Sequence, residues 1–203
     1  CYKKKIMNST ITAIATPPGR GAIAILRISG PDSLKAYEHL TKSSQHPEPN
    51  AIKPVWIYDG DSRLDQPMLV YFKAPRSFTG EDMLEIHCHG SSVVQNNILK
   101  LLNGIGIEPA KPGEFSERAY YNGKIDVAQA EAIMELVSAD NSSVARLATR
   151  QLAGEFSSKI ADIRNDLTSL ASAVSADMDF SEEDLPSIDA KSIKSRVQKA
   201  LSK

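Results

Sequence analysis

Cysteine and long apolar runs are scarce in this sequence, and both scarcities limit the classes of protein it can encode. The 203 residues include two cysteines, Cys1 and Cys88, so no disulfide framework is predicted and a reducing, cytoplasmic compartment is expected. No apolar run is much longer than Ala22–Leu26, whereas a membrane-spanning helix needs about 18 such residues. The lysine-rich start lacks the apolar segment of a secretory signal. We therefore expect no contact with a membrane.

Excess charge of either sign is also missing, because 24 lysines and arginines balance 25 aspartates and glutamates, leaving a formal net charge of −1. A global basic field for nucleic acid is excluded, and any such contact must come from local patches. A phosphate-binding loop is missing as well, since the one Gly-Lys pair, Gly123-Lys124, lacks a glycine five residues earlier and precedes isoleucine. Nucleotide hydrolysis is therefore not expected of these residues.

Strand and helix patterns alternate through the first part of the chain. Helical spacing follows the second strand, and again follows Gly90 and Pro112. The Asp59-Gly60 turn predicts a hairpin between the third and fourth strands. The interleaving predicts a mixed α/β domain over residues 7–124. The predicted strands are Thr10–Ala15, Ala22–Ile28, Val55–Tyr58, Met68–Phe72, a run from Met83 to His89, and a short one within Ile105–Ala110.

The pattern changes at Asp126, after which every apolar stripe has helical spacing. Asp126 and Gln129 resemble a capping box, and Asn141 is placed to cap the next helix. A stripe from Phe156 to Val174 fits a coiled-coil seam or, more simply, a helix packed in a bundle. The acidic segment 181–186 interrupts the helices, and the last one has no glycine or asparagine stop. The predicted fold class is thus α+β, with residues 125–203 forming the first part of a helical domain of a longer protein.

The segment Ser77–Gly90, SFTGEDMLEIHCHG, places polar groups on one face of a strand. Glu85, His87 and His89 share that face, while the alternate residues between them are apolar and belong to a core. Zinc accepts such ligands, but a further ligand would be needed, and the other two histidines lie on the first helix and in a proline-rich loop. The alternative is that the histidines are satisfied by backbone or water. We predict no metal site.

Arg27, Glu85 and Lys124 form a more informative set, because each is a charged group beside an apolar run of the α/β region. Three dispersed charges are usually three surface charges. Together, however, two cations and one anion suit a ligand with an amidine-like edge and anionic ends, such as a pterin with carboxylates. The sequence shows no catalytic nucleophile with an adjacent base.

Three long motifs carry a resemblance to a known family. They are TPPGRGAIAILRISGP at Thr16–Pro31, SFTGEDMLEIHCHG at Ser77–Gly90, and KPGEFSERAYYNGKIDVAQAEAI at Lys111–Ile133. In this order they resemble the MnmE (TrmE) family of tRNA modification GTPases. The resemblance implies an N-terminal domain similar to the tetrahydrofolate-binding fold of aminomethyltransferases, which forms a homodimer around 5-formyl- or 5,10-methylene-tetrahydrofolate. It also implies that Glu85 binds the pterin and that Arg27 and Lys124 belong to the same site.

For the whole protein the resemblance implies more than this chain contains. The family has a Ras-like G domain that uses GTP, Mg²⁺ and K⁺, and it ends in a Cys-x-Gly-Lys tail. With the FAD-containing protein MnmG (GidA), it adds an aminomethyl or carboxymethylaminomethyl group at C5 of the wobble uridine of tRNA. The GTP site and the tail are absent from this sequence, so folate binding and dimerisation are its expected activities. The alternatives are a stand-alone folate-dependent aminomethyltransferase and a zinc-dependent or purely scaffolding module.

Overall fold

A computed structural model describes residues 9–179 and 190–201. The chain divides into two compact units, Cys1–Ile125 and Asp126–Lys203. The first contains strands and helices, and the described part of the second is all helical. The predicted α+β class is therefore confirmed. None of the described helices combines the length and apolar character needed to cross a membrane.

The first unit is built around a six-stranded sheet of order β3-β6-β7-β2-β1-β8. β8 is parallel to β1, the other neighbours are antiparallel, and β4 and β5 form a separate hairpin. The strands are β1 Ile11–Ile14, β2 Ile23–Ser29, β3 Lys53–Pro54, β4 Ile57–Asp59, β5 Ser62–Asp65, β6 Met68–Phe72, β7 Met83–His89 and β8 Glu108–Pro109. The helices are α1 Ser33–Thr41, α2 Ser92–Gly104 and α3 Glu114–Tyr121.

The central pair β2 and β7 follows the alternation seen in the sequence. Leu26 lies opposite Ile86, and Arg27 lies opposite Glu85, so each cross-strand pair shares a face. The first face belongs to a fully buried core, to which Leu40 of α1 and Ile98 of α2 also contribute. The second face carries the charged pair. A one-residue slip would exchange the two faces, so burial of the core fixes the register that holds the charges together.

Cys88 lies on the core face of β7 and is 1% exposed. Its Sγ donates a weak hydrogen bond to the Ala24 carbonyl oxygen at 3.5 Å. Burial, together with the charge of Asp65, raises the pKa of the Cys88 thiol to about 11. The thiol is therefore protonated at neutral pH and behaves as a small apolar side chain.

One local prediction is wrong. The Asp59-Gly60 turn does form a hairpin, but its second strand is Ser62–Asp65, and Met68–Phe72 pairs with β3 and β7 instead. The continuous apolar run of β6 suits an inner strand, whereas β5 has a single large apolar residue and gives little signal. Gly104 is the last residue of α2, and a positive φ of 86° follows at Gly106.

The described helices of the second unit are held by caps and by side chains that bond to the backbone of a neighbouring helix. They are α4 Val127–Val137, α5 Ser142–Leu152, α6 Glu155–Asp179 and α7 Ala190–Leu201. The capping box of Asp126 and Gln129 is present, and Asn141 caps α5, so both predictions are confirmed. Gln129 donates to the Leu152 carbonyl and Gln151 to that of Ala128, each at 2.9 Å. The predicted interruption at 181–186 lies outside the described residues.

Candidate functional site

An ion pair between Arg27 and Glu85 lies on the second face of the sheet, because β2 and β7 bring the two residues directly opposite each other. Arg27 Nε donates to Glu85 Oε1 at 2.6 Å. The Glu85 side chain is 12% exposed and that of Arg27 is 37% exposed. The pair is therefore partly desolvated and still reachable from the surface. Such a charge-assisted bond is stronger than one between neutral groups.

The two histidines of β7 have different partners. His87 Nε2 lies 3.3 Å from Glu85 Oε2, whereas His89 Nδ1 lies 2.6 Å from Asp65 Oδ1. Asp65 also accepts the His89 backbone N–H at 3.0 Å. Glu85, His87 and His89 therefore belong to two separate contacts. In residues 9–179 and 190–201, no three His, Cys, Asp or Glu side chains are arranged to hold a metal ion.

The Ser77–Asp82 loop, which enters β7, adds an aromatic ring to this site. The guanidinium carbon of Arg27 lies 5.9 Å from the centre of the Phe78 ring, within range of a cation–π contact. Ser77 Oγ donates to the Glu81 carbonyl at 2.5 Å, which closes the loop on itself. Thr79 is buried and its hydroxyl lies 2.7 Å from that of Ser29 on β2. The loop is thus tied to the strand that carries Arg27.

Lys124, the third predicted site residue, contacts this same loop region. Its Nζ donates to the Pro75 carbonyl at 3.1 Å, and its Cγ would lie 3.2 Å from a Cβ built on Gly80. Asn122 donates to the Thr79 carbonyl at 2.7 Å. Among the described residues, no ion pair joins Lys124 to Glu85. The structure therefore brings Arg27 and Glu85 into direct contact and places the Lys124 side chain against the loop that carries Phe78.

A buried arginine, which the sequence analysis missed, fastens that loop to α3. Arg118 is 0% exposed; its Nη1 donates to Glu81 Oε2 at 3.2 Å and its Nη2 donates to Glu114 Oε1 at 2.9 Å. The Ser9 carbonyl accepts another bond from Nη1 at 2.7 Å. Glu114 and Arg118 are four residues apart in a predicted helix, a spacing that signals a pair. Nothing local in the sequence signals the bond to Glu81, 37 positions away.

The site offers binding groups on an open surface. A carboxylate that already accepts from Arg27 and lies near His87 has lone pairs for two parallel N–H donors, as an amidine edge provides. The nearby Phe78 ring offers a flat apolar surface. A planar heterocycle with a ring N–H next to an amino-substituted ring carbon fits these groups.

Comparison with known families defines the class of protein. The model described as the N-terminus of GTP-binding protein TrmE matches residues 10–124, and the MnmE helical domain model matches residues 127–203. The chain therefore belongs to the MnmE (TrmE) family, and the resemblance drawn from the three motifs is confirmed.

Curated relatives carry the name "tRNA modification GTPase MnmE". The protein of Alkalilimnicola ehrlichii is 44% identical over 179 residues, which are 88% of this chain and 40% of the relative. That of Methylococcus capsulatus is 45% identical over 183 residues, or 90% and 40% of the two chains. That of Helicobacter pylori is 41% identical over 195 residues, or 96% and 42%. The chain thus spans about two fifths of the length of these relatives.

Proposed function

We propose that this chain is the folate-binding and dimerising part of a GTPase that modifies tRNA at C5 of the wobble uridine. Residues 7–124 would bind 5-formyl- or 5,10-methylene-tetrahydrofolate, and residues 125–203 would form the first part of the helical domain. Family membership supports the tRNA modification, because the relatives are named for it. The resemblance of the motifs supports the folate and the homodimer.

The observation that carries the proposal is the Arg27–Glu85 pair beside Phe78. Glu85 would accept hydrogen bonds from the amidine edge of the pterin, and the Phe78 ring would pack against it. Arg27 and Lys124 would hold the anionic part of the folate. When bound, the folate supplies the one-carbon unit, whereas these side chains bind and orient it. Arg118 would act through the Ser77–Asp82 loop, which it anchors by its bond to Glu81.

The remaining activities belong to the whole protein. GTP hydrolysis with Mg²⁺ and K⁺, the partnership with FAD-containing MnmG and the cytoplasmic location are proposed from the family resemblance. The chain itself has no phosphate-binding loop, so we expect no GTP hydrolysis from it alone. The match of residues 127–203 to the MnmE helical domain favours this function over a stand-alone aminomethyltransferase.

Removal of the Glu85 carboxylate tests the folate site. Glu85→Ala should weaken 5-formyltetrahydrofolate binding about tenfold to a hundredfold, because hydrogen bonds to a charged group are lost. The fold should persist, since the Arg27 side chain left without its partner is 37% exposed and stays hydrated. Calorimetric titration measures the affinity, and light scattering on the same samples reports the homodimer.

Glu155→Ala is the matched control. Glu155 also forms an ion pair, with Arg150 at 2.7 Å, but it belongs to the helical unit. This variant should bind folate as the unaltered chain does. Equal affinities for Glu85→Ala and the unaltered chain, with circular dichroism showing both folded, would refute the assignment of the site.

A further inference from the structure

A second cleft lies at the other end of β2 and on the opposite face of the sheet from Arg27 and Glu85. It has a volume of about 430 Å³ and is lined by Ile14, Thr16, the Pro18–Arg20 loop, and Ser92 and Gln95 of α2. Ile14 lies opposite Leu26 and thus belongs to the core-side face, whereas Arg27 belongs to the other. We name this feature the PPGRG cleft. It is separate from the proposed folate site.

The first turn of α2 borders the PPGRG cleft. α2 has 13 residues, and the side chain of its N-cap, Ser91, makes no capping hydrogen bond. The first backbone N–H groups of a helix have no partner within the helix, and the helix dipole gives this end a partial positive charge. Ser92, the first helical residue, lines the cleft. This edge of the cleft therefore favours an anion.

Gln95, one turn further along α2, supplies an independent observation. It is only 8% exposed, yet its side-chain amide has no hydrogen-bond partner among the described residues. Because Gln95 lines the cleft, its amide is left facing that space. The amide atoms still touch the solvent that fills the cleft, so they can bond to a ligand there without losing a partner within the protein.

The opposite wall adds a positive charge and further donors. The Arg20 side chain is exposed and forms no hydrogen bond or ion pair with any described residue. Thr16 Oγ1 accepts the Ile25 N–H at 3.4 Å, which leaves its hydroxyl proton available to donate. No aspartate or glutamate lines the cleft. A guanidinium, an amide, two hydroxyls and a helix N-terminus thus surround one space without an opposing carboxylate.

The two walls are held together by the backbone. Gly21 N–H donates to the Gly90 carbonyl at 3.2 Å, and Gly90 N–H donates to the Ala22 carbonyl at the same distance. A Cβ on Gly90 would lie 2.3 Å from the Gly21 carbonyl oxygen, so only glycine permits this approach. The PPGRG loop and the start of α2 are therefore fixed relative to each other before any ligand arrives.

We propose that the PPGRG cleft binds a phosphate group. A phosphate presents oxygens in several directions, and it can accept from the Arg20 guanidinium, the Gln95 amide and the α2 N-terminus at once. The phosphate could come from a free phosphate or nucleotide, or from the backbone of a polynucleotide. The proposal does not rest on the folate site, because the two sites lie on opposite faces of the sheet and share no residue.

Titration of the full chain with inorganic phosphate, at constant ionic strength, tests the proposal. The backbone amide NMR signals of Gly19, Gly21 and Ser92 should shift and saturate. Arg20→Gln should weaken binding about tenfold or more, because it removes a charge-assisted bond. Gln95→Leu should also weaken binding, because it removes an amide donor from the cleft.

Arg146→Gln is the control, because this exposed arginine of the helical unit does not line the cleft.

Parallel titrations with uridine monophosphate and with a short single-stranded oligouridylate distinguish the two sources of the phosphate group. Stronger shifts of the same amides by the oligonucleotide, reduced in Arg20→Gln, identify a polynucleotide backbone. Shifts by phosphate and the mononucleotide alone identify a free phosphate.

Two results would overturn the proposal. One is the absence of saturable shifts at these amides with all three probes. The other is equal phosphate affinity in Arg20→Gln, Gln95→Leu and the unaltered chain, with circular dichroism showing that all are folded. Either result leaves the folate titration of Glu85→Ala unaffected, so the two proposals fail separately.

Discussion

The sheet unit and the helical unit bury their apolar residues very differently. In the sheet unit, Leu26 and Leu84 are 0% exposed, in a core assembled from strands and helices far apart in sequence. In the helical unit, Ala132 and Ala148 are buried, whereas Met134 is 74% and Val137 is 85% exposed among the described residues. Pairing between segments distant in sequence thus buries the core of the sheet unit. The helical unit depends more on helix caps and on hydrogen bonds between neighbouring helices.

The two units also differ in the candidate sites that they carry. Both candidate sites, the Arg27–Glu85 pair and the PPGRG cleft, lie in the sheet unit. Strand register and the buried network around Arg118 position the first site, and the backbone bonds between Gly21, Ala22 and Gly90 hold the walls of the second. A site built on such rigid elements keeps its geometry without a ligand. Stability measurements on matched variants of the two units test this comparison.

The largest effect is expected from Arg118→Ala. Removing this fully buried guanidinium leaves Glu81 and Glu114 without their ion-pair partner, and we expect a loss of about 3–5 kcal/mol in unfolding free energy. Urea unfolding followed by fluorescence of Trp56, the one tryptophan of the sequence, reports on the sheet unit. Arg146→Ala, an exposed control, should change stability by less than about 0.5 kcal/mol. A loss below about 1 kcal/mol in Arg118→Ala would contradict the structural role given to it.

A leucine in each unit gives the next comparison. Leu84→Ala should lower the unfolding free energy of the sheet unit by about 2–5 kcal/mol, because it leaves a cavity in a closed core. Leu147→Ala should have a much smaller effect, since Leu147 is 61% exposed. Urea unfolding is measured by Trp56 fluorescence for the first variant and by circular dichroism for the second. Equal losses in the two variants would contradict the contrast between the units.

The smallest effect is expected at the cap of α4. Asp126→Ala should cost about 0.5–2 kcal/mol, because its carboxylate accepts the Gln129 N–H at 2.9 Å. A hydrogen bond from Ser157, with that backbone bond, lowers the pKa of Asp126 below its usual value. The stabilisation is therefore complete above the unfolded-state pKa of about 3.9 and is lost as the pH falls through the lower folded-state pKa.

Asp126→Asn is the matched control for the pH dependence, because asparagine keeps the cap acceptor but does not titrate. Helix content is followed by circular dichroism from about pH 7 to about pH 2 at fixed urea, because the lowered pKa of Asp126 places the effect at acidic pH. The part of the pH dependence of stability that comes from Asp126 should be absent from the asparagine variant. Identical pH profiles for the two proteins would show that its ionisation does not affect folding.

Local patterns predicted much of this structure. The alternation in β7 placed Glu85 opposite an apolar face, and the cap residues Asp126 and Asn141 marked where helices begin. Each of these features depends on residues close in sequence. The order of the sheet depends on pairing between distant segments, which is why β4 was given the wrong partner.

The sequence also did not predict which polar residues are buried. Arginine and glutamine are usually exposed, so neither Arg118 nor Gln95 could be recognised as buried from residue type. Their environment arises from elements brought together by the fold: the Ser77–Asp82 loop against α3 in one case, and the PPGRG loop against α2 in the other. The contact of exposed Lys124 with Pro75 was also missed, because it joins residues 49 positions apart.

The buried thiol of Cys88 makes the sheet unit open to a direct chemical measurement. A thiol-labelling reagent needs a solvent-accessible thiolate, and this side chain is 1% exposed with a pKa of about 11. At neutral pH the reagent can react quickly only when β7 separates from its neighbours. The modification rate of Cys88, measured separately from that of Cys1, therefore reports how often the centre of the sheet opens, while the helical unit, in which the sequence has no cysteine, contributes nothing to the signal.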